Sequence, residues 1–186
     1  MNFLSLILGF VLLSGPTWAQ RSGESWVFSA NFSKIDTETE TENSTSSENK
    51  VTHLDWTLGY VLSSGIYVGG IYSTSSQTLD GATDDPQTTR MGVSLGYMAS
   101  NGFFIQGHYF LQAKIQDAVS AGDRTHGTGT QFDLGYNVNI SGPFYLGAQI
   151  TRRSVEYTKV KTASGSTSQD HTVEELYPAI RLTFIF

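Results

Sequence analysis

The sequence lacks several residue types, and each shortage excludes a class of protein. It contains no cysteine, which excludes disulfide frameworks, thiolate metal sites and lipid anchors through cysteine. It contains only four prolines but nine tyrosines and eleven phenylalanines, which is not the composition of a disordered chain. Lysine and arginine number 11 against 17 acidic residues, and the net charge of −6 argues against nucleic acid as a partner.

Long hydrophobic runs are also missing. No segment after the N-terminus approaches the eighteen or so apolar residues of a transmembrane helix. The N-terminus has an apolar core over residues 3–13, followed by Gly15-Pro16 and the small residue Ala19. Although no lysine or arginine precedes this core, the pattern predicts a signal peptide over residues 1–19. Residues 20–186 are then predicted to form one domain.

Glycine and aromatic residues are abundant and recur in a repeated unit. Leu-Gly-Tyr, a short polar turn and an apolar run appear three times, over residues 58–70, 95–107 and 134–148. Repeats at a spacing of about forty residues indicate one supersecondary unit used several times. Because the flanking residues alternate with period two, the unit is predicted to be a β-hairpin. With one strand before the first repeat and one at the C-terminus, the count is eight strands.

The two faces of these strands differ in chemistry. One face carries leucine, tryptophan, phenylalanine, tyrosine and isoleucine, whereas the other carries charged residues, glutamine, serine and glycine. An eight-stranded barrel is too narrow to hold so many bulky side chains inside, so the apolar face is predicted to contact lipid. Short turns at Ser63–Gly65, Ser100–Gly102 and Ile140–Pro143 alternate with four long polar connections. The long connections are predicted at about residues 36–50, 74–88, 117–127 and 161–172.

The predicted fold is therefore all-β, an eight-stranded antiparallel up-and-down transmembrane β-barrel that follows the signal peptide. Tyr60, Tyr97 and Tyr136 precede the short turns at similar positions, and Phe186 lies close to the same level. These side chains are predicted to be interfacial aromatics at headgroup depth.

The chain resembles the small eight-stranded outer-membrane proteins of Gram-negative bacteria, the group of the OmpA transmembrane domain and OmpX. The most specific element is the last strand, Ile180–Phe186, which alternates and ends on phenylalanine. This strand is similar to the signal that the barrel-assembly machinery reads. The resemblance implies a protein integral to the bacterial outer membrane with periplasmic termini, in contact with membrane lipid and lipopolysaccharide. Pro178 interrupts the last strand and is expected to mark a local bulge.

Charged residues on the inner face are predicted to form a polar network in the lumen, because buried charges must be paired. Its predicted members are His53, Asp55, Arg90, His108, Asp133, Arg153, Glu175 and Arg181. Inner glycines are expected to leave some room in this lumen. They are Gly59, Gly69, Gly92, Gly96, Gly135 and Gly147.

Several functions fit such a barrel. The first is a structural or surface-interaction role through the long loops, with an unknown surface partner. In the first loop, the alternating Thr-Glu run either extends the strands or forms a solvated loop. The alternative is a narrow OmpW-like channel for small solutes. A lipid A-modifying enzyme is a distant third, with Asp123, His126 and Thr128 near the outer rim. No motif indicates a cofactor, a metal or a catalytic site, so the chain is expected not to be an enzyme.

Overall fold

The computed structural model describes residues 24–41, 44–79, 86–116, 123–162 and 165–186. The predicted signal peptide lies outside these residues. The described chain consists of eight β-strands. Their bounds are β1 Ser25–Thr41, β2 Ser44–Val61, β3 Ile66–Leu79, β4 Gln87–Met98, β5 Phe103–Gln116, β6 Asp123–Ser141, β7 Phe144–Thr162 and β8 Gly165–Ile185. No helix among these residues is long and apolar enough to cross a membrane.

The strands close into one barrel in sequence order, and every neighbouring pair is antiparallel. This confirms the predicted fold class. The three short turns are also confirmed, since the strands stop at Val61, Met98 and Ser141 and resume within a few residues. Gly65 and Gly102 in these turns have φ angles of 88° and 91°, which only glycine adopts without strain. We call this end of the barrel, with the start of β1 and the end of β8, the short-turn end.

The four long connections are the main departure from the sequence prediction. Most of their residues belong to strands: β1 reaches Thr41 and β2 begins at Ser44, so only residues 42–43 separate them. β7 and β8 likewise pair as far as Thr162↔Gly165. Of the two interpretations of the Thr-Glu run, the extended strand is therefore the correct one. The prediction failed because polar residues on both faces resemble a loop, although the backbone ladder continues beyond the apolar zone. We call these extensions the long hairpins.

Side chains alternate between the two faces as the period-two pattern predicts. Outward positions carry large apolar side chains that are 38–72% exposed, which is the arrangement of a barrel in lipid rather than in water. We call them the apolar belt. Strict alternation from Phe104 along β5 predicts Gln112 on the inner face, and this position is wrong, because Gln112 is exposed and Ala113 is buried. The register shifts there between Met91 and Gly92, and the extra residue in β5 reverses the alternation.

The β1–β8 ladder that closes the barrel is short. It runs from Val27↔Ile185 to Phe32↔Ile180. Trp26 and Phe186 exchange both backbone hydrogen bonds, at 2.8 and 3.0 Å. Hydrogen-bonded pairs recur every second residue, so the next such pair above Phe32 would be Lys34 with Pro178.

Pro178 has no N–H to donate, and the ladder ends at this point. Instead, Ser33 Oγ donates to the Pro178 carbonyl at 2.5 Å. The predicted bulge is wrong, because β7 and β8 pair without a shift through Ile150↔Pro178. Proline is accommodated there since its nitrogen faces β1 rather than β7.

Candidate functional site in the barrel interior

Arg153 is the centre of a charged cluster that spans the lumen. Its side chain is 1% exposed, and its Nη2 donates to both carboxylate oxygens of Asp55 at 2.9 and 3.0 Å. Its Nη1 donates to Glu175 at 3.1 Å and its Nε to Gln131 Oε1 at 2.7 Å. The rings of Phe110 and Tyr177 lie 5.7 and 5.3 Å from the guanidinium carbon. The side chain of Arg153 is fixed across the lumen by charge-assisted hydrogen bonds to two acids and by contacts with two aromatic rings.

Gln131 joins Arg153 to a second group of buried side chains. Its Nε2 donates to Asp55 at 3.1 Å and to the two oxygens of Asp133 at 3.0 and 3.2 Å. Asp133 also lies 3.1 Å from His108 Nε2, and His108 Nδ1 lies 2.6 Å from Ser94 Oγ. These contacts make one continuous hydrogen-bonded path between opposite walls of the barrel.

Ser94, His108 and Asp133 are connected in the order that serine hydrolases use, but their surroundings differ from a hydrolase site. The three residues are at most 4% exposed. A hydrolase also needs donors aimed at a developing oxyanion, usually free backbone N–H groups. Here Ser94 pairs with Gly69 of β3 on one side and with His108 of β5 on the other, so the backbone around it belongs to the strand ladders and offers no free N–H groups. We therefore assign the connected residues Ser94, His108 and Asp133 a structural role within the network.

The remaining predicted members of the network lie at its edge, with one exception. His53 stacks on Tyr177 with ring centroids 4.2 Å apart, and its Nδ1 is 3.5 Å from Arg153 Nη1. Arg90 lies 3.6 Å from Glu175 and donates to Ser75 at 3.2 Å. The structure thus brings seven of the eight predicted side chains together, and Arg181 lies in a separate layer closer to the short-turn end.

Apolar side chains fill the lumen on both sides of the polar layers. Towards the short-turn end lie Val27, Val61, Tyr67, Met98 and Phe104. Towards the long hairpins lie Ile71, Phe110, Ala113, Val155 and Tyr157. Each of these side chains is less than 5% exposed. The described part of the lumen is therefore packed rather than open.

The inner glycines do not leave the room that the sequence suggested, because a Cβ at any of the six would lie 2.2–2.5 Å from a neighbouring atom, which in some cases belongs to an aromatic ring. A Cβ at Gly59 would lie 2.5 Å from the ring of Tyr67, and one at Gly135 would lie 2.5 Å from that of Phe104. Gly127 is related to Tyr157 in the same way, at 2.7 Å. In these cases the glycine provides the space into which the neighbouring aromatic ring folds.

The predicted interfacial aromatics lie on the outside near the short turns. Tyr60 Oη donates to Glu24 at 2.8 Å, and its ring meets Trp26 edge-on at 5.4 Å. Tyr97 is 45% exposed and Tyr136 is half-buried. Phe186 is exposed and lies 5.2 Å from the ring of Phe184.

The rim residues considered for an enzyme do not form a cluster. Asp123 pairs with Lys114 at 3.5 Å, whereas His126 is exposed and contacts the neighbouring Thr125. Within the described ranges, no group of three or more His, Asp or Glu is placed to hold a metal ion.

Sequence reasoning missed Gln131, Gln106, Gln149 and Tyr177 as members of the polar layers. Their signal was present, since all four occupy inward positions of the period-two pattern. A network predicted from charged residues alone leaves these amide and hydroxyl groups out.

Comparison with known proteins gives one family and a shared fold. A family model described as "Putative MetA-pathway of phenol degradation" matches residues 14–150 of the 186. No curated protein matches the chain.

Among solved structures, the outer-membrane protein AlkL, determined in DMPC lipid bilayers, aligns with a TM-score of 0.52 and 14% identity. The alignment covers 93% of this chain and 94% of AlkL. The translocator domain of the autotransporter NalP from Neisseria meningitidis aligns with a TM-score of 0.37 and 14% identity, over 96% of this chain and 66% of that one. The β-domain of the Bordetella autotransporter BrkA gives 0.35 and 10%, over 89% and 99%.

The likeness to AlkL establishes the fold, a small β-barrel of the outer-membrane class. The narrower resemblance to OmpA and OmpX is not specifically supported and stays an expectation.

Proposed function

The chain belongs to the family described as "Putative MetA-pathway of phenol degradation", and we propose that it is an integral outer-membrane barrel whose lumen is closed at rest. In this proposal both termini of the chain, at the short-turn end, face the periplasm and the long hairpins stand at the cell surface. Its role is structural or one of surface contact, through the hairpins. Membrane lipid, lipopolysaccharide and the barrel-assembly machinery, which would read the strand ending at Phe186, are its proposed partners.

One observation carries this proposal: the Arg153 cluster crosses the lumen from β7 to β2 and is buried. Arg153, Asp55 and Gln131 are each at most 1% exposed and are bonded to one another. A solute could pass only if several charge-assisted hydrogen bonds broke together, which is costly in a dry interior. The outer apolar belt, by contrast, supports a stable position in lipid.

Conductance in a planar bilayer tests the closed lumen. The chain from residue 20 onwards is refolded from urea, and folding is verified by a heat-dependent shift on a gel. We expect a folded barrel without discrete current steps. Reproducible unitary steps from the folded protein would contradict a lumen closed at rest.

A gated passage for small aromatic solutes is the second candidate, and the family description favours it. It is tested with vesicles that hold either 4-hydroxybenzoate, a hydroxylated aromatic acid that bilayers retain, or glucose as a control of similar mass. Release of the aromatic acid alone would favour the passage, since the network would have to part for this solute. Retention of both solutes would leave the surface role as the function of the barrel.

A further inference from the structure

Arg181 differs from the other lumen arginines in what surrounds it. The side chain is fully buried, and its Nη1 donates to Gln106 Oε1 at 2.7 Å and to Gln149 Oε1 at 3.3 Å. Its Nη2 donates to Ser29 at 2.9 Å and its Nε to Thr183 at 3.1 Å. All four acceptors are neutral oxygens. The ring of Phe104 covers the guanidinium at 4.2 Å from its carbon.

No carboxylate of the described residues lies within 4.0 Å of this guanidinium, whereas Arg153 and Arg90 each contact an acid. Asp133 is close in the strand register, since it pairs with Gln106. It already accepts hydrogen bonds from Gln131 and contacts His108. A buried cation is costly unless an opposite charge or a full set of hydrogen bonds compensates it.

Two side-chain amide groups beside Arg181 have atoms without hydrogen-bond partners. Asn31 is its direct neighbour across the β1–β8 ladder, and neither its Nδ2 nor its Oδ1 has a hydrogen-bond partner. Gln106 accepts from Arg181 through Oε1, but its Nε2 is unpartnered. Both side chains are at most 2% exposed. Buried donors are normally satisfied, so two unpartnered amide nitrogens beside a buried cation that has no counter-charge indicate a ligand.

We propose that Arg181, Asn31 and Gln106 bind one monovalent anion inside the barrel. The anion supplies the counter-charge that Arg181 lacks and accepts hydrogen bonds from the two amides. A halide and the anionic oxygen of a small aromatic acid share this chemistry. This inference does not depend on whether the lumen conducts.

The test measures how anions affect unfolding of the whole barrel. Because the site is sealed, the protein is refolded from urea into detergent micelles in sodium bromide, sodium benzoate or sodium gluconate at equal ionic strength. We expect the urea midpoint to rise with bromide concentration and to saturate, relative to gluconate, a strongly hydrated polyhydroxy anion that serves as the reference. If benzoate produces the same rise, the site accepts organic acids as well as halides; if only bromide does, it is a halide site. Equal midpoints in all three salts would overturn the proposal.

A variant that places a carboxylate in the site provides a second test of the proposal. Gln106→Glu replaces the unpartnered Nε2 by oxygen, loses no hydrogen bond and places an acid beside Arg181. We expect this variant to lose the response to bromide. Gln112→Glu is the matched control on the same strand, with its side chain outside the barrel, and should keep the response. A response retained by Gln106→Glu would assign the bromide effect elsewhere.

Discussion

At the scale of single residues, Arg153 is the side chain on which the interior depends most. Replacing it with methionine keeps an unbranched stem but leaves the buried Asp55 without its cation, while Glu175 keeps only Arg90, 3.6 Å away. Loss of one partner from a buried ion pair costs about 3–5 kcal/mol. We therefore expect Arg153→Met to lower the free energy of unfolding by that amount, measured by urea titration in micelles.

The neighbouring residue provides the control. Arg152 precedes Arg153 on β7 and points outward, where it is exposed. Arg152→Met should lower the free energy of unfolding by no more than about 0.5 kcal/mol, because it breaks no buried contact and its strand neighbours Phe132 and Leu176 are apolar. Similar losses in the two variants would mean that the effect comes from the loss of charge and not from the buried cluster.

The members of this cluster were predictable at the residue scale, but their partners were not. Period-two alternation puts Arg153 and Asp55 on the inner face. Which charged residues meet depends on the shear of the barrel, that is, on the total stagger between neighbouring strands. Contacts across the lumen join strands that are distant in sequence. Asp55 and Arg153, on β2 and β7, belong to opposite walls. A local sequence pattern does not show which residues meet across the lumen. The sequence therefore could not show that Arg181 lies apart from the other charged residues.

At the scale of strands, Pro178 sets the length of the β1–β8 ladder. Pro178→Ala restores an N–H on the β1 side of β8. We expect this amide to donate to the Lys34 carbonyl, as continued pairing requires, and to be protected from hydrogen exchange. The free energy of unfolding should change by less than about 1 kcal/mol. A new hydrogen bond contributes about 0.5–1.5 kcal/mol, and the loss of proline's restriction of the unfolded chain offsets about 0.4–1 kcal/mol of it.

The control for amide hydrogen exchange at the β1–β8 ladder is a proline variant elsewhere in the barrel. Pro143 lies in a short turn, and its carbonyl accepts from the Ile185 amide at 2.9 Å. Pro143→Ala should leave exchange of the amides around Lys34 unchanged. Rapid exchange at position 178 in the first variant would show that β1 and β8 diverge there for a reason other than the missing N–H.

The strands were predictable where their two faces meet different media. In the apolar belt one face meets lipid and the other the packed lumen, so alternation is strong, as from Met91 to Met98. In the long hairpins the sequence is polar on both faces and the alternation disappears, although the ladder continues through Thr37↔Asn49. Ladder hydrogen bonds involve the backbone alone, and hydropathy does not report them. This is why the strand number was predicted correctly and the strand lengths were not.

At the scale of the whole molecule, the barrel is inverted relative to a soluble protein, with apolar side chains outside and charges inside. Leu95 belongs to the apolar belt and is 63% exposed, yet it should tolerate a charge poorly. We expect Leu95→Arg to cost about 2–4 kcal/mol in lipid vesicles, the range for arginine deep in the hydrocarbon.

The same substitution near a membrane interface provides the depth control, because its cost there falls to about 0–1 kcal/mol. Ile140 is also outward and 60% exposed, but it lies at the short-turn end. Urea titration of Leu95→Arg and Ile140→Arg in the same vesicles isolates the effect of depth, since exposure and chemistry are matched. Equal costs at the two positions would mean that the belt does not span a hydrocarbon layer, and the inverted interior would then need another explanation.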